Sequence, residues 1–317
     1  MTVDVARSVR KMFVDGKWVE SESGQTFDAV SPATGETIAS VPKGTRADAK
    51  RAVEAAHRAR RAMADLKGFA RSARLHRIAD SIEQHREELG HLLTLDQGKP
   101  MHAEALGEVD EAAEYFRIAA EDLKRLEGRV IPSASPSKLV MTRHYPRGVY
   151  GIITPWNWPL TMAAELIAPA LAAGNTVVWT PASSTSVISV ALLECIAEAD
   201  FPPGPVNLVT GPGAEVGDEV AGQPLGERAG FVGSPGAGEK PLPLAEKEVK
   251  TILKQLGIET PKLKIDFTRG DRVKVTSGPS FDFTGPVAEI DAPRERPRPP
   301  PPHLRPHPPR EPHSSTL

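Results

Sequence analysis

The chain is poor in cysteine, in net charge and in long apolar runs. Cys195 is the only cysteine in 317 residues, so no internal disulfide can form and a reducing, cytoplasmic setting is the expected one. Lys and Arg number 39 against 41 Asp and Glu, a formal net charge of −2. That balance gives no general attraction to nucleic acid or to an acidic membrane surface. No stretch approaches the roughly 18 apolar residues a membrane helix needs. The opening MTVDVARSVRKMFVDGKW has no apolar core of a signal peptide. No internal repeat is present. No metal site is expected.

Proline, by contrast, is plentiful and uneven: ten of the 31 fall between Pro293 and Pro312. This segment has almost no apolar side chains to offset the entropy of ordering, so residues 293–317 are expected to be a disordered tail.

The remaining sequence is punctuated by clear signals. Asp15-Gly16 between two short apolar runs predicts a hairpin over 12–20. Thr45 and Asp48 form a capping pair at the start of a helix reaching about Leu66. Leu75, Ile78, Ile82, Leu89 and Leu93 predict a second helix over about 72–95, and Val109, Ala113, Phe116, Ala120 and Leu123 a third over about 102–127. KLVMTRHYP (138–146) reads as an extended strand. From Gly148 the pattern becomes strand, helix, strand, helix, strand: GVYGIIT, residues 159–174, NTVVWT, residues 184–200 and VNLVT. Short links between such elements predict a parallel α/β sheet, with ligands beyond the carboxyl ends of its strands. Those ends are TPWN (154–157), TPASS (180–184) and TGPGAEVG (210–217).

A further glycine-rich stretch, AGFVGSPGAGEKPLPL (229–244), invites comparison with a P-loop. Gly233 and Gly238 have the spacing, but Glu239 stands in the lysine's place, Lys240 comes one residue late, and Pro241 replaces the Ser or Thr.

DGKWVES, SPATGETIASV, LTLDQGKP, the PWNWP loop and PPGPVNLVTGPGAEVG, in this order, resemble the cofactor half of the aldehyde dehydrogenase superfamily over about residues 12–231. EYFRIAAEDLKRLEGRVIPS is nearest to succinate-semialdehyde-type members. The resemblance implies an α/β fold with an incomplete Rossmann-like parallel sheet and an N-terminal helical region, and NAD or NADP as cofactor. It implies that Ile153, Thr154, Pro155 and Trp156 line the cofactor and that the Asn157 amide stabilises an oxyanion. Gly213 and Gly217 match glycines near adenosine and pyrophosphate, and Phe231, Gly233 and Ser234 match a turn that receives the pyrophosphate. Thr180 replaces the family's ribose-binding lysine, which implies weaker binding, while Ser183 faces the ribose. The family's E-L-G-G-type glutamate turn and its nucleophilic cysteine loop are not found. Cys195 lies on an apolar helical stripe and reads as a core residue. The resemblance therefore implies an aldehyde or semialdehyde oxidoreductase whose thiol and general base this sequence lacks, leaving it inactive as it stands.

KPLPLAEKEVKTILKQLG (240–257) and GDRVKVTSGPSFDFTGPVAEID (270–291) resemble the C-terminal part of NusG-type transcription elongation factors. This implies a helix and linker over 232–263 and a truncated KOW β-barrel over 264–292. Val273 and Val275 would lie on one strand, Ser277-Gly278-Pro279 in a turn and Val287–Ile290 on a second. Transcription or ribosomal protein partners follow from that resemblance. Three alternatives to an enzyme are thus open: a NusG-like transcription elongation role through the KOW part, a non-catalytic dinucleotide-binding and interaction chimera, or a fusion without selected function. The last implies exposed apolar surface along 138–146, and oligomerisation is doubtful because the family's C-terminal strands are not found.

Overall fold

The computed structural model describes residues 9–232 and, beyond them, the backbone of four short strands. The chain divides into two compact units, Met1–Lys240 and Pro241–Leu317.

In the first unit, β1 (Met12–Val14) and β2 (Lys17–Val19) form the expected hairpin, with Asp15 and Gly16 both at positive φ. That pair of conformations makes a tight turn whose twist suits the strands. A second hairpin, β3 (Thr26–Val30) and β4 (Thr37–Pro42), was not expected from the sequence. Helix α1 (Arg46–Asp65) starts as predicted: the Thr45 hydroxyl accepts from the Asp48 amide, and the Asp48 carboxylate accepts from the Thr45 amide at 3.0 Å.

The single helix expected over 72–95 is two, α2 (Gly68–Gln84) and α3 (Arg86–Gln97), broken at His85. There the His85 amide bonds back to the Ser81 carbonyl, and the ring Nδ1 lies 2.9 Å from that oxygen. Ile82 and Leu89 stay on one apolar stripe across the break, so periodicity could not reveal it. After a π-turn at Met101–Ala105, α4 (Leu106–Leu123) ends four residues earlier than predicted. Of the strand expected at 138–146, only Val140–Met141 (β6) is paired, with β5 (Val130–Ile131). The apolar surface expected there is exposed: Val130 and Leu139 are each 72% accessible, and Tyr145 is 70%.

Strands β7 (Val149–Thr154), β8 (Thr176–Pro181) and β9 (Val206–Leu208) pair in parallel, as predicted. Helices α5 (Thr161–Ala172) and α6 (Ser186–Ala197) connect them. A π-turn at Gly213–Gly217 leads into α7 (Asp218–Gly222), and β10 (Arg228–Phe231) returns to pair in parallel with β7. The sheet order is β10-β7-β8-β9-β1-β2, so the first hairpin closes one edge, with β1 antiparallel to β9.

Two apolar clusters cover the sheet. Ala49, Ala52, Val53 and Ala56 of α1 and Val220 of α7 pack with Val149, Val178 and Val209. Helices α2 to α6 pack with Ile152, Val177 and Trp179. Alternate strand residues thus face opposite layers, which is the period-two rule of a sheet buried on both sides. Among the described residues no helix is long and apolar enough to cross a membrane.

In the second unit, β11 (Arg272–Lys274) pairs with β12 (Thr284–Pro286), and β13 (Glu289–Asp291) with β14 (Arg296–Arg298), both antiparallel. The described strands are two separate pairs, and the rest of the segment expected to form a partial barrel lies outside the described residues. Of the second expected strand, 287–290, Glu289 and Ile290 fall in β13, and residues 287 and 288 lie outside the described residues. Strand β14 falls inside the segment expected to be a disordered tail; backbone pairing needs no apolar side chains. The remainder of 264–317, and the helix expected after residue 240, lie outside the described residues.

Candidate functional site

Among the parallel strands, chain order and sheet order disagree at one place. The chain runs β7, β8, β9 in one direction across the sheet, and then β10 is placed on the other side of β7. Ligands of open α/β sheets bind beyond the carboxyl ends of the strands at such a reversal, which here falls at the ends of β7 and β10. Ile153 and Thr154 end β7, and Phe231 ends β10; the Val232 amide donates to the Ile153 carbonyl at 3.1 Å. Gly233 and Ser234 lie outside the described residues.

The strand-end residues are held from beneath. Trp179 is fully buried on β8, and its indole Nε1 donates to the Thr154 hydroxyl at 2.9 Å. Pro155 is half-buried, while Trp156 and Asn157 project into solvent. Thr180 is 1% exposed, and its hydroxyl finds no partner among the described residues. By strand alternation it faces the same layer as Val178, opposite to Trp179. The Ser183 hydroxyl donates to the Gly211 carbonyl at 2.8 Å, joining the second and third strand-end loops.

Those loops are tied in turn to the first helix. The Gly44 amide donates to the Thr210 carbonyl at 2.9 Å, and the Thr210 hydroxyl to the Pro42 carbonyl at 2.8 Å. Arg46 donates to the Ala214 carbonyl at 3.1 Å and pairs with Glu219 at 3.3 Å. Gly213 has no heavy atom within 4 Å of where a Cβ would lie, and Gly217 sits against Ile153. Ile153, Thr180, Gly213 and Gly217 thereby come together at one edge of one sheet face.

Three residues of this edge were missed by sequence reasoning. Lys99 Nζ lies 2.5 Å from Glu108 Oε2, donates to the Asn157 carbonyl at 3.2 Å, and sits 3.9 Å from the centroid of the Trp158 ring. Glu108 Oε1 accepts from the Leu160 amide at 2.8 Å and the Thr161 amide at 3.3 Å. Gln97 Nε2 also donates to the Asn157 carbonyl, at 3.3 Å. A signal existed: Glu108 sits within the apolar stripe of α4, where a charge requires a buried partner.

Cys195 is 1% exposed, and burial pushes its thiol up to about 12. It lies nine residues beyond Ser186, the first residue of α6, so roughly 13 Å along the helix from the strand ends. This agrees with the core role expected of it. Among the described residues no group of three or more His, Cys, Asp or Glu could hold a metal ion.

Asp96 closes α3 against the start of α6, its Oδ2 accepting from the Ile188 amide at 2.9 Å while Oδ1 has no partner among the described residues. Burial raises its carboxyl from 3.8 to about 7, against the opposing pull of the Ile188 and Val187 amides and of Arg10. A folded value above the unfolded one means the folded state holds the proton longer. The resulting stabilisation is complete below about pH 4 and is lost as pH rises through 7. Asp96→Asn should therefore remove a decline in unfolding free energy between pH 4 and 7, on the order of a few kcal/mol, read by urea denaturation. Parallel pH profiles of the two proteins would refute this origin.

The aldehyde dehydrogenase family profile matches residues 18–263. Glutarate-semialdehyde dehydrogenase of Pseudomonas putida is 38% identical over 257 residues, covering 81% of this chain and 53% of that protein. Succinate-semialdehyde dehydrogenase [NADP(+)] of Escherichia coli is 35% identical, with the same coverages of 81% and 53%. Betaine aldehyde dehydrogenase from Staphylococcus aureus, solved in complex with NAD+, is 36% identical and superposes with a TM-score of 0.71, covering 73% of this chain and 46% of that one. The chain spans about half the length of the curated relatives it matches. The family match continues past residue 231 and over 232–263, the stretch in which the sequence suggested a NusG-like helix and linker.

Proposed function

The chain belongs to the aldehyde dehydrogenase family, and from that premise we propose that its first unit is a dinucleotide-binding portion of an NAD(P)-dependent enzyme oxidising a semialdehyde. The observation that carries this reading is the strand reversal between β7 and β10. Beside it, the parallel strands β7, β8 and β9 carry Ile153–Asn157, Thr180, Ser183, Gly213 and Gly217 at or beyond their carboxyl ends. The open space at Gly213 fits a ligand lying over those strand ends. Ile153, Thr154 and Pro155 would border the nicotinamide end through backbone, with Trp156 covering it. Gly213 and Gly217 would border the adenosine end, and Phe231 the pyrophosphate. Bound there, NAD or NADP would supply the hydride acceptor.

Glutarate- and succinate-semialdehyde dehydrogenases among the relatives support a short acid semialdehyde as substrate class. The Asn157 side chain is exposed while its carbonyl is held by Lys99 and Gln97, which suits an amide presented to an oxyanion. The chain's one thiol is buried and sits away from this edge. Turnover needs a nucleophile that these 317 residues do not supply, so binding without catalysis is the expected behaviour of this chain.

Calorimetric titration of the full chain with NAD and with NADP tests the reading. Saturable heat with one of them is expected; no heat from either at millimolar concentration would overturn it. For residues 264–292, the pairing of β11 with β12 supports only a hairpin within the KOW-like sequence. A protein partner there would show as recruitment that is lost when 264–317 are deleted.

A further inference from the structure

We propose that the buried Lys99–Glu108 pair is a latch that holds the 154–161 loop in shape and, through it, sets dinucleotide affinity. The second half of this statement rests on the reading above. Lys99 and Glu108 are 6% and 0% exposed, and both ends of their contacts converge on one loop. Lys99 grips the Asn157 carbonyl and lies over the Trp158 ring. Glu108 receives the amides of Leu160 and Thr161, where α5 begins. Trp179 fixes the other end through Thr154. The loop that carries the proposed cofactor and oxyanion residues is thus clamped at its start, its middle and its finish.

Stability alone is a weak reason for such a pair. Two buried opposite charges of this kind are often replaceable by apolar residues without loss of stability. What an apolar pair cannot do is accept two amides at the head of α5 and donate to a carbonyl in the loop. The Lys99 charge is also spent on Glu108, so Lys99 acts on the ligand through the loop, as a positioning residue.

The test uses the full chain with Lys99→Met, Glu108→Leu and both together. Amide hydrogen exchange is read in the ligand-free protein, and NADH affinity by nicotinamide fluorescence. Each single variant should accelerate exchange over 155–162 by roughly 10- to 100-fold and weaken NADH by a similar factor. The double variant, which leaves no unpaired buried charge, should recover thermal stability but neither of those two losses.

Wild-type exchange over 155–162 together with wild-type affinity in the variants would overturn the latch. So would faster exchange spread evenly over the chain, because that marks general destabilisation. A wild-type chain that binds no NADH overturns the dinucleotide reading and the affinity half of this proposal. Local exchange then decides the loop-holding half: acceleration confined to 155–162 supports it, and unchanged exchange refutes it.

Discussion

Trp179→Ala should destabilise the first unit by about 3–5 kcal/mol, the range for removing a large aromatic from a packed core. Trp179 is fully buried in the middle of the sheet, packed in the larger apolar cluster with Ile152, Val177 and Leu208. Removing it opens a cavity that β-strands on both sides cannot collapse to fill. It also strands the buried Thr154 hydroxyl, whose bond to the indole is lost. Against a typical total stability of about 5–15 kcal/mol, the loss is large enough to populate unfolded chain at ambient temperature. Urea denaturation with the slope unchanged is the measurement. Trp179→Phe separates the two contributions: most of the apolar contact remains and the N–H is gone. It should cost nearer 1 kcal/mol from the hydrogen bond, plus a smaller packing loss. A Trp179→Ala midpoint within the error of wild type would contradict the packing described here.

Gly44→Ala should disrupt the site more than any exposed substitution within it. A Cβ at Gly44 would lie 2.2 Å from the Thr210 carbonyl oxygen, which is backbone and cannot rotate away. The two segments must separate, breaking the bond from the Gly44 amide to that same oxygen. Overpacking of this kind costs about 1–3 kcal/mol, and the lost hydrogen bond about 1 kcal/mol more. The functional effect exceeds the stability effect, because Thr210 leads directly into Gly211 and the 213–217 turn. Gly213→Ala supplies the contrast, since its Cβ would meet nothing in the ligand-free chain. Gly44→Ala should lower both the melting temperature and dinucleotide affinity, whereas Gly213→Ala should lower affinity alone. Equal melting temperatures for Gly44→Ala and wild type would show that the close approach to Thr210 is not maintained in solution.

The parts of this architecture legible in the sequence are those encoded over a few residues. Asp15-Gly16 announces its hairpin because two consecutive positive φ angles require such residues, and the Thr45–Asp48 capping pair announces α1. Strands β7, β8 and β9 are legible because strands buried on both faces read as continuous apolar runs. What was not legible depends on distant partners. The break at His85 leaves the apolar stripe of α2 and α3 in phase, so nothing in the pattern marks it. Nothing local says that β1 joins the edge of a parallel sheet beside β9. At the site, the strand-end loops were located by their place after each strand, and resemblance named the residues within them. Lys99 and Glu108 escaped because their meaning lies in backbone atoms of Asn157, Leu160 and Thr161, more than fifty residues away, which composition cannot show.

Titration of the full chain with NADH, followed by nicotinamide fluorescence, tests the central claim most directly. Saturable one-site enhancement is expected for wild type and, unchanged, for Cys195→Ala, because that thiol is buried in α6 away from the strand ends. Gly44→Ala should weaken it. Absence of enhancement at millimolar NADH, or binding abolished by Cys195→Ala and untouched by Gly44→Ala, would contradict a dinucleotide site at the β7–β10 edge.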